Sequence, residues 1–120
     1  MTEVLIKGGR IVTAVDDYIA DILIKQGRIE AIARELTSDT AETHDATGLL
    51  VMPGGVDVHT HMEFPLGEAV TCDTFETGMR SAAFGGTTTI IDFALQKRGE
   101  TPKQTLDQRL AVAEPQACVD

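Results

Sequence analysis

This chain of 120 residues has few cysteines, few basic residues and few histidines. Two cysteines, Cys72 and Cys118, are too few for a disulfide framework and indicate a reducing compartment. Acidic residues outnumber basic ones by 19 to 10, and the net charge of −9 argues against a nucleic-acid partner. No apolar run approaches the roughly 20 residues of a membrane span, and no signal peptide is recognisable. We therefore expect a cytoplasmic protein with no nucleic-acid and no membrane partner.

Two of the three histidines stand one residue apart, at the end of residues 51–61. Side chains alternate between the faces of an extended strand, so Asp57, His59 and His61 are predicted to share one face. Imidazoles on one face can converge on one metal ion, and neutral imidazole is the commonest transition-metal ligand. A bare His-x-His is more often solvated or part of a core, but the Gly-Gly-x-Asp-x-His-x-His context favours ligands. His59 and His61 are the candidate metal ligands.

The first third of the chain predicts a small antiparallel sheet. Residues 6–11 (IKGGRI) are echoed by residues 24–29 (IKQGRI), and each copy resembles a strand entering the glycine-bearing turn of a tight hairpin. Residues 16–17 predict a further turn. Residues 35–47 predict a loop with a short strand near His44, which we expect on the solvated side of the sheet.

The second half predicts helices that alternate with strands. The strand ending at His61 is followed by a loop over residues 62–72. A helix is predicted to begin at Asp73, which would form a capping box with Glu76. Gly85-Gly86 would end that helix in the left-handed conformation.

A second strand and a second helix follow. Residues 87–93 are rich in β-branched side chains and predict a buried strand. The next helix opens with a Thr101/Gln104 capping box and stops at Pro115, and residues 116–119 predict the onset of a third strand. This alternation is typical of a parallel sheet. Two such units cannot close an eight-unit barrel of about 250 residues, so we expect an N-terminal segment of a longer protein. A complete small α+β domain is the alternative.

These motifs resemble the hydantoinase/dihydropyrimidinase branch of the amidohydrolase superfamily. The resemblance rests on residues 53–63 (PGGVDVHTHME), 75–78 (FETG) and 83–93 (AFGGTTTIIDF), together with the glycine turns of the first third. It implies an incomplete α/β fold. Residues 1–50 would be part of a small β-sandwich. Residues 51–120 would be the start of a (β/α)8 barrel, namely strand 1, helix 1, strand 2, helix 2 and the onset of strand 3.

The resemblance also implies a function. The protein would be a metal-dependent cyclic amidohydrolase that hydrolyses a ring C–N bond of hydantoins or dihydropyrimidines, small cyclic ureides or imides. It would hold two divalent metals, usually zinc, with His59 and His61 on one of them, and would form a homo-oligomer. The carboxylated lysine, further histidines and aspartate of the family find no match here. We therefore expect no catalytic residue in the segment, and no activity from the segment alone.

Two related classes are distinguished by single positions. Dihydroorotases place an arginine shortly after the histidine pair, and Met62-Glu63-Phe64 offers none. Non-catalytic dihydropyrimidinase-like proteins lack the second histidine, whereas His61 is present. A non-catalytic scaffold or interaction protein that has lost later ligands is the alternative function.

The loop over residues 62–72 is the candidate wall of the substrate pocket. Phe64 and Leu66 are apolar and flank a proline, and the loop follows the histidines where specificity loops of barrels lie. A loop at this position in hydantoinases resembles a gate over the ring substituent. The alternative is that both side chains pack the loop onto the barrel. We expect Asp57 to orient the site, and Asp92 to make a loop or helix-start hydrogen bond.

Overall fold

A computed structural model of the chain describes residues 3–120, which form a β-rich fold with two helices. The first two positions of the expected β-sandwich portion lie outside the described residues. The chain divides into two compact units, one ending at Pro53 and one beginning at Gly54. The strands of the first unit are β1 (Val4–Val12), β2 (Asp17–Lys25), β3 (Arg28–Ala33), β4 (Glu42–Asp45) and β5 (Leu50–Val51). The elements of the second are β6 (Gly55–Thr60), β7 (Pro65–Leu66), β8 (Ala69–Val70), α1 (Phe75–Phe84), β9 (Thr87–Asp92) and α2 (Pro102–Ala113).

The sheet of the first unit is mixed, so the expected antiparallel sheet is wrong. Its strand order is β3-β2-β1-β4, with β5 also paired to β1. β1 is antiparallel to β2 but parallel to β4 and β5. The reason is the segment after β3, which crosses to the far side of β1 and so returns the chain in the direction of β1. The short strand expected near His44 is present as β4, and His44 is exposed as predicted.

One face of this sheet holds the core of the first unit. Ile11, Ala20 and Ile22 are buried, and Ile24 and Val51 are among the partly buried side chains packed against them. Burying an isoleucine or valine stabilises a fold by about 1.5–3 kcal/mol. We therefore expect Ile22→Ala to cost roughly 2–5 kcal/mol.

The two glycine-bearing copies in the first unit fold differently. Gln26 and Gly27 both have positive φ, 52° and 73°, and form the predicted tight turn between β2 and β3. The hairpin predicted at residues 6–11 is wrong, because β1 continues through Gly8 and Gly9. The register between β1 and β2 shifts there and Gly8 has φ 68°, which together describe a β-bulge.

A buried carboxylate explains the bulge. Asp21 on β2 is 2% exposed and accepts hydrogen bonds from the backbone amides of Gly8 (2.8 Å) and Leu36 (2.9 Å). Lys7 Nζ lies 2.9 Å from the same carboxylate. The Lys7 hydrogen bond, followed by those from Leu36 and Gly8, lowers the pKa of Asp21 from 3.8 to about 2. The Gly8 amide thus donates its hydrogen bond to the Asp21 side chain instead of to a backbone carbonyl of a neighbouring strand.

The second unit contains two parallel strands joined by a helix. β6 pairs with β9 in parallel, and α1 connects them and packs on β9. Phe75, Gly78 and Met79 are the buried residues of α1. Gly86 has φ 84° and ends the helix in the predicted left-handed conformation.

The helix α1 begins one residue later than predicted. Its N-cap is Thr74, which exchanges hydrogen bonds with Thr77 in the capping box. Asp73 instead accepts a hydrogen bond from Thr77 Oγ1 at 3.1 Å, and Glu76 pairs with Arg80 at 3.4 Å. The Thr77 hydroxyl can accept from the Thr74 amide while it donates to Asp73, so this box satisfies more groups than an Asp73/Glu76 box.

The second helix matches its prediction, and the strand after it does not. α2 has the predicted Thr101/Gln104 capping box and ends at Ala113, before Pro115. Residues 116–119 are turn and bend instead of strand, because the Gln116 amide continues the helical turn to the Ala113 carbonyl. Parallel backbone pairing occurs at Asp120, which bonds to Thr88 and Ile90 of β9.

Burial along β9 also differs from the prediction. The strand occupies Thr87–Asp92 as expected, but Ile91 is 51% exposed. α1 contacts β9, and Thr88 and Ile91 are the exposed residues of the strand. Neither helix of residues 3–120 is long and apolar enough to cross a membrane.

Candidate functional site

The two candidate metal ligands converge at the end of β6. His59 lies in the strand and His61 follows it directly. Their Nε2 atoms are 3.1 Å apart, and the two rings meet edge to face with centroids separated by 4.9 Å. The spacing of two residues therefore brings the side chains together, as strand alternation requires.

The separation of the two nitrogens fits a shared metal ion. At a tetrahedral zinc with bonds of about 2.0–2.1 Å, two ligand nitrogens lie about 3.3 Å apart. No group of three or more His, Cys, Asp or Glu side chains arranged to hold a metal occurs within residues 3–120. A metal-bound histidine usually donates a hydrogen bond from its second ring nitrogen. Within residues 3–120 the buried His61 Nδ1 has no hydrogen-bond partner. The pair thus offers two of the ligands that a zinc ion takes.

Two phenylalanines surround the histidines. The Phe93 ring centroid lies 4.7 Å from that of His59 and 4.9 Å from that of His61. The Phe64 ring lies 4.2 Å from His61. These contacts place two aromatic rings beside the histidine pair, although Phe93 is itself 41% exposed. Phe93 was missed by sequence reasoning, although its place after the neighbouring parallel strand is a signal for this edge of the sheet.

Two aspartates near the histidines bond to backbone. Asp57 Oδ1 accepts from the His59 amide at 3.1 Å, a short-range bond that is consistent with an orienting role. Asp92 Oδ2 accepts from the Met62 amide at 2.8 Å, which is the loop hydrogen bond expected from the sequence. Asp92 also pairs with Arg109 of α2 at 2.6 Å, and sequence reasoning missed this arginine.

The loop over residues 62–72 is more ordered than a plain loop. It contains the hairpin β7–β8, which turns at Gly67 with φ 64°. Thr71 closes the stem, since its hydroxyl donates to the His61 carbonyl and accepts from the Phe64 amide, both at 2.8 Å. The stem of the loop is therefore attached directly to the second histidine.

The two loop residues proposed as a pocket wall lie in different places. Phe64 contacts His61 and, with Phe93 and Arg109, lines a groove of about 230 Å³. Leu66 lies in the hairpin, is 60% exposed and is not among the residues that line this groove. Cys72 and Cys118 are both free and exposed. The structure thus brings Phe64, but not Leu66, to the histidine pair.

Comparisons with known proteins extend these observations. No protein-family profile matches the chain. It is 52% identical over 116 residues to a D-hydantoinase of Geobacillus stearothermophilus, which covers 97% of this chain and 25% of the relative. It is 40% identical over 121 residues to a dihydropyrimidinase of Rattus norvegicus, covering 97% of this chain and 23% of the relative. A solved D-hydantoinase structure superposes with a TM-score of 0.95 at 49% identity, over 99% of this chain and 26% of that one.

These similarities identify the chain as a homologue of cyclic amidohydrolases. The homologues are named D-hydantoinase and dihydropyrimidinase, and the resemblance to that branch read from the motifs is confirmed. The chain spans about a quarter of the length of the relatives that it matches.

Proposed function

We propose that the protein is a metal-dependent hydrolase that opens the ring C–N bond of a hydantoin or dihydropyrimidine. The observation that carries the proposal is the 3.1 Å approach of His59 Nε2 and His61 Nε2 in a chain homologous to D-hydantoinase and dihydropyrimidinase. Two divalent ions, which we take to be zinc, would supply an acidified water and would stabilise the negative charge that develops on the carbonyl oxygen of the ring amide.

The residues of this chain have limited roles in that reaction. His59 and His61 would hold one metal through Nε2, and the rings of Phe93 and Phe64 contact the two imidazoles. We assign no catalytic residue to this chain. The remaining ligands and the proton-transferring group would come from a longer protein that contains it. The substrate is a small cyclic ureide or imide, and we take Phe64 and Leu66 to face its ring substituent.

The fold proposal follows from the same comparison. We take residues 1–50 as part of a small β-sandwich and residues 51–120 as the first βα units of a (β/α)8 barrel. The succession β6–α1–β9–α2, with β6 and β9 parallel, supports the second assignment. A cytoplasmic location, supported by two free cysteines, and assembly into a homo-oligomer belong to the same proposal.

The central experiment uses the protein at its full natural length. Zinc content and turnover of hydantoin and dihydrouracil are measured for the wild type and for His59→Ala and His61→Ala. We expect both variants to lose bound metal and ring opening together. His44→Ala is the matched control, because His44 is exposed in the first unit and should leave both quantities unchanged. Full metal content with normal turnover in His59→Ala would refute the proposal. A metal-free wild type without turnover would favour a non-catalytic scaffold.

The 120-residue chain alone gives a second test. Two nitrogen ligands leave a zinc site incomplete, and unpaired strand edges make the fold marginal. We expect the isolated chain to turn over neither hydantoin nor dihydrouracil. A rate comparable to that of the full-length protein would contradict this.

A further inference from the structure

The Asp92 carboxylate at the end of β9 has partners on both oxygens. Oδ2 accepts from the Met62 amide at 2.8 Å and from Thr60 Oγ1 at 3.2 Å. Oδ1 accepts from Arg109 Nη2 at 2.6 Å and from Arg109 Nε at 3.1 Å. The Asp92 side chain is only 10% exposed. A buried charge of this kind is tolerated because every acceptor position is used, and such geometry fixes the groups around it.

Arg109 on α2 donates hydrogen bonds both to Asp92 and to the backbone of Met62. Its side chain is 18% exposed, and its guanidinium lies 4.5 Å from the ring centroid of the buried Phe75. Besides the two bonds to Asp92, Nη2 donates to the Met62 carbonyl. The planar fork thus makes three directed contacts that a lysine ammonium could not reproduce with the same geometry.

The residue that this pair holds is the one after His61. The amide of Met62 is bound by Asp92 and its carbonyl by Arg109. Its thioether packs so closely on Gly78 of α1 that a Cβ at Gly78 would overlap it. Met62 is therefore fixed through backbone and side chain, and the backbone of His61 is fixed with it. His59 has a different support, the local bond from its amide to Asp57.

We propose that Asp92 and Arg109 are positioning residues for His61, which hold its imidazole at the distance from His59 that a shared metal requires. The metal part of this inference rests on the proposed function. Neither residue touches the imidazole, so both act through the backbone of Met62. A supporting partner of a metal ligand typically changes metal affinity by about 10- to 100-fold when it is altered.

The first test measures zinc affinity by competition with a chelator in the full-length protein. Asp92→Asn keeps the size of the side chain but loses its negative charge and one acceptor oxygen, and Arg109→Lys keeps the positive charge but loses the planar guanidinium. Both variants are expected to bind zinc about 10- to 100-fold more weakly. Arg10→Lys is the matched control, because Arg10 also donates two hydrogen bonds to one carboxylate, that of Asp17, on the exposed surface of the first unit. Met79→Ala, which removes a buried side chain from α1, controls for stability alone. Both controls should retain wild-type affinity.

The second test uses metal-free protein and so separates this inference from the proposed function. Nitrogen-15 NMR of the His61 imidazole and hydrogen exchange of the Met62 amide are compared across the same variants. We expect faster Met62 exchange and a changed His61 spectrum in Asp92→Asn and Arg109→Lys, but not in Met79→Ala. Unchanged His61 spectra and unchanged Met62 exchange would overturn the inference, whatever the wild type does with zinc. Changed spectra with a wild type that binds no zinc would retain the positioning role and refute the metal site.

Discussion

Each unit contains an aspartate with little exposed surface whose carboxylate pairs with a basic side chain and accepts a backbone hydrogen bond. Asp21 accepts from two backbone amides and pairs with Lys7, whereas Asp92 accepts from one amide and one hydroxyl and pairs with Arg109. They differ in what they hold. Hydrogen bonds to the Asp21 carboxylate connect the β-bulge of β1 to the segment after β3. Hydrogen bonds to the Asp92 carboxylate connect the residue after His61 to α2. The same chemistry therefore stabilises a sheet in one unit and supports the candidate site in the other.

The largest effect should come from removing the first of these carboxylates. Asp21→Ala leaves the amides of Gly8 and Leu36 and the Lys7 ammonium without their partner, and breaking a buried pair costs roughly 3–5 kcal/mol. Lys7 is partly exposed, so we expect the lower end, about 3 kcal/mol, in urea unfolding. Asp17→Ala, which removes the exposed partner of Arg10, should lower the free energy of unfolding much less.

The Asp21→Ala variant also tests whether Asp21 affects stability without affecting zinc binding, in contrast to Asp92. The polar partners of Asp21, namely Gly8, Leu36 and Lys7, all belong to the first unit, so the zinc affinity of the folded variant should equal that of the wild type. If Asp21→Ala weakened zinc binding as much as Asp92→Asn, the distinction between the two carboxylates would be lost.

Acid should remove the contribution of Asp21. Its pKa is lower in the folded state than its ordinary 3.8, so its stabilisation is complete above that value and disappears as the pH falls toward about 2. We expect the urea midpoint of the wild type to fall over this window more steeply than that of Asp21→Asn. Glu3, Asp17 and Asp45 also have lowered pKa values, so the difference between the two proteins is the informative quantity. Equal slopes would show that Asp21 is not responsible.

Sequence reasoning succeeded where short-range chemistry decides the structure. The Thr101/Gln104 box and the Gln26-Gly27 turn need only residues within one turn of each other, and both were found. The hairpin expected at Gly8 failed because Asp21, 13 positions away, takes the amide that a hairpin would use. No periodicity in the sequence shows such a partner.

In the candidate site too, a contact between residues close in sequence was predictable, and a contact between distant residues was missed. The approach of His59 and His61 follows from strand alternation and was predictable. Arg109 was missed because it lies 47 positions from Met62, and only the folded chain brings the two residues together. Phe93 was nearly predictable, since it follows a parallel strand at the edge where the histidines lie.

Substitutions in the loop over residues 62–72, which begins at the Met62 amide bonded to Asp92, should have a smaller effect. This effect is on substrate preference instead of stability. Phe64→Ala and Leu66→Ala should change the preference between bulky and small ring substituents, by about 1–3 kcal/mol of discrimination. Phe64 should have the larger effect, because it contacts His61 whereas Leu66 lies in the exposed hairpin. The measurement is the ratio of kcat/KM values for two hydantoins in the full-length protein. Equal losses for both substrates, with a lowered Tm, would mark these side chains as packing.

The smallest expected effect is the difference in stability between alanine variants of Gly8 and Gly27. This difference measures what the surroundings of Gly8, including Asp21, add to the backbone strain. Gly8 and Gly27 both have left-handed φ, 68° and 73°, so alanine costs roughly 1–2 kcal/mol of backbone strain at either position. A Cβ at Gly27 would meet no atom within 4 Å, whereas one at Gly8 would lie 2.8 Å from Thr47 Oγ1. It would also disturb the amide that donates to Asp21. We therefore expect Gly8→Ala to lower the free energy of unfolding more than Gly27→Ala, and Thr47→Ala to recover part of the difference. Equal costs for the two alanines would mean that φ alone determines the cost at both positions and that the surroundings of Gly8 add nothing.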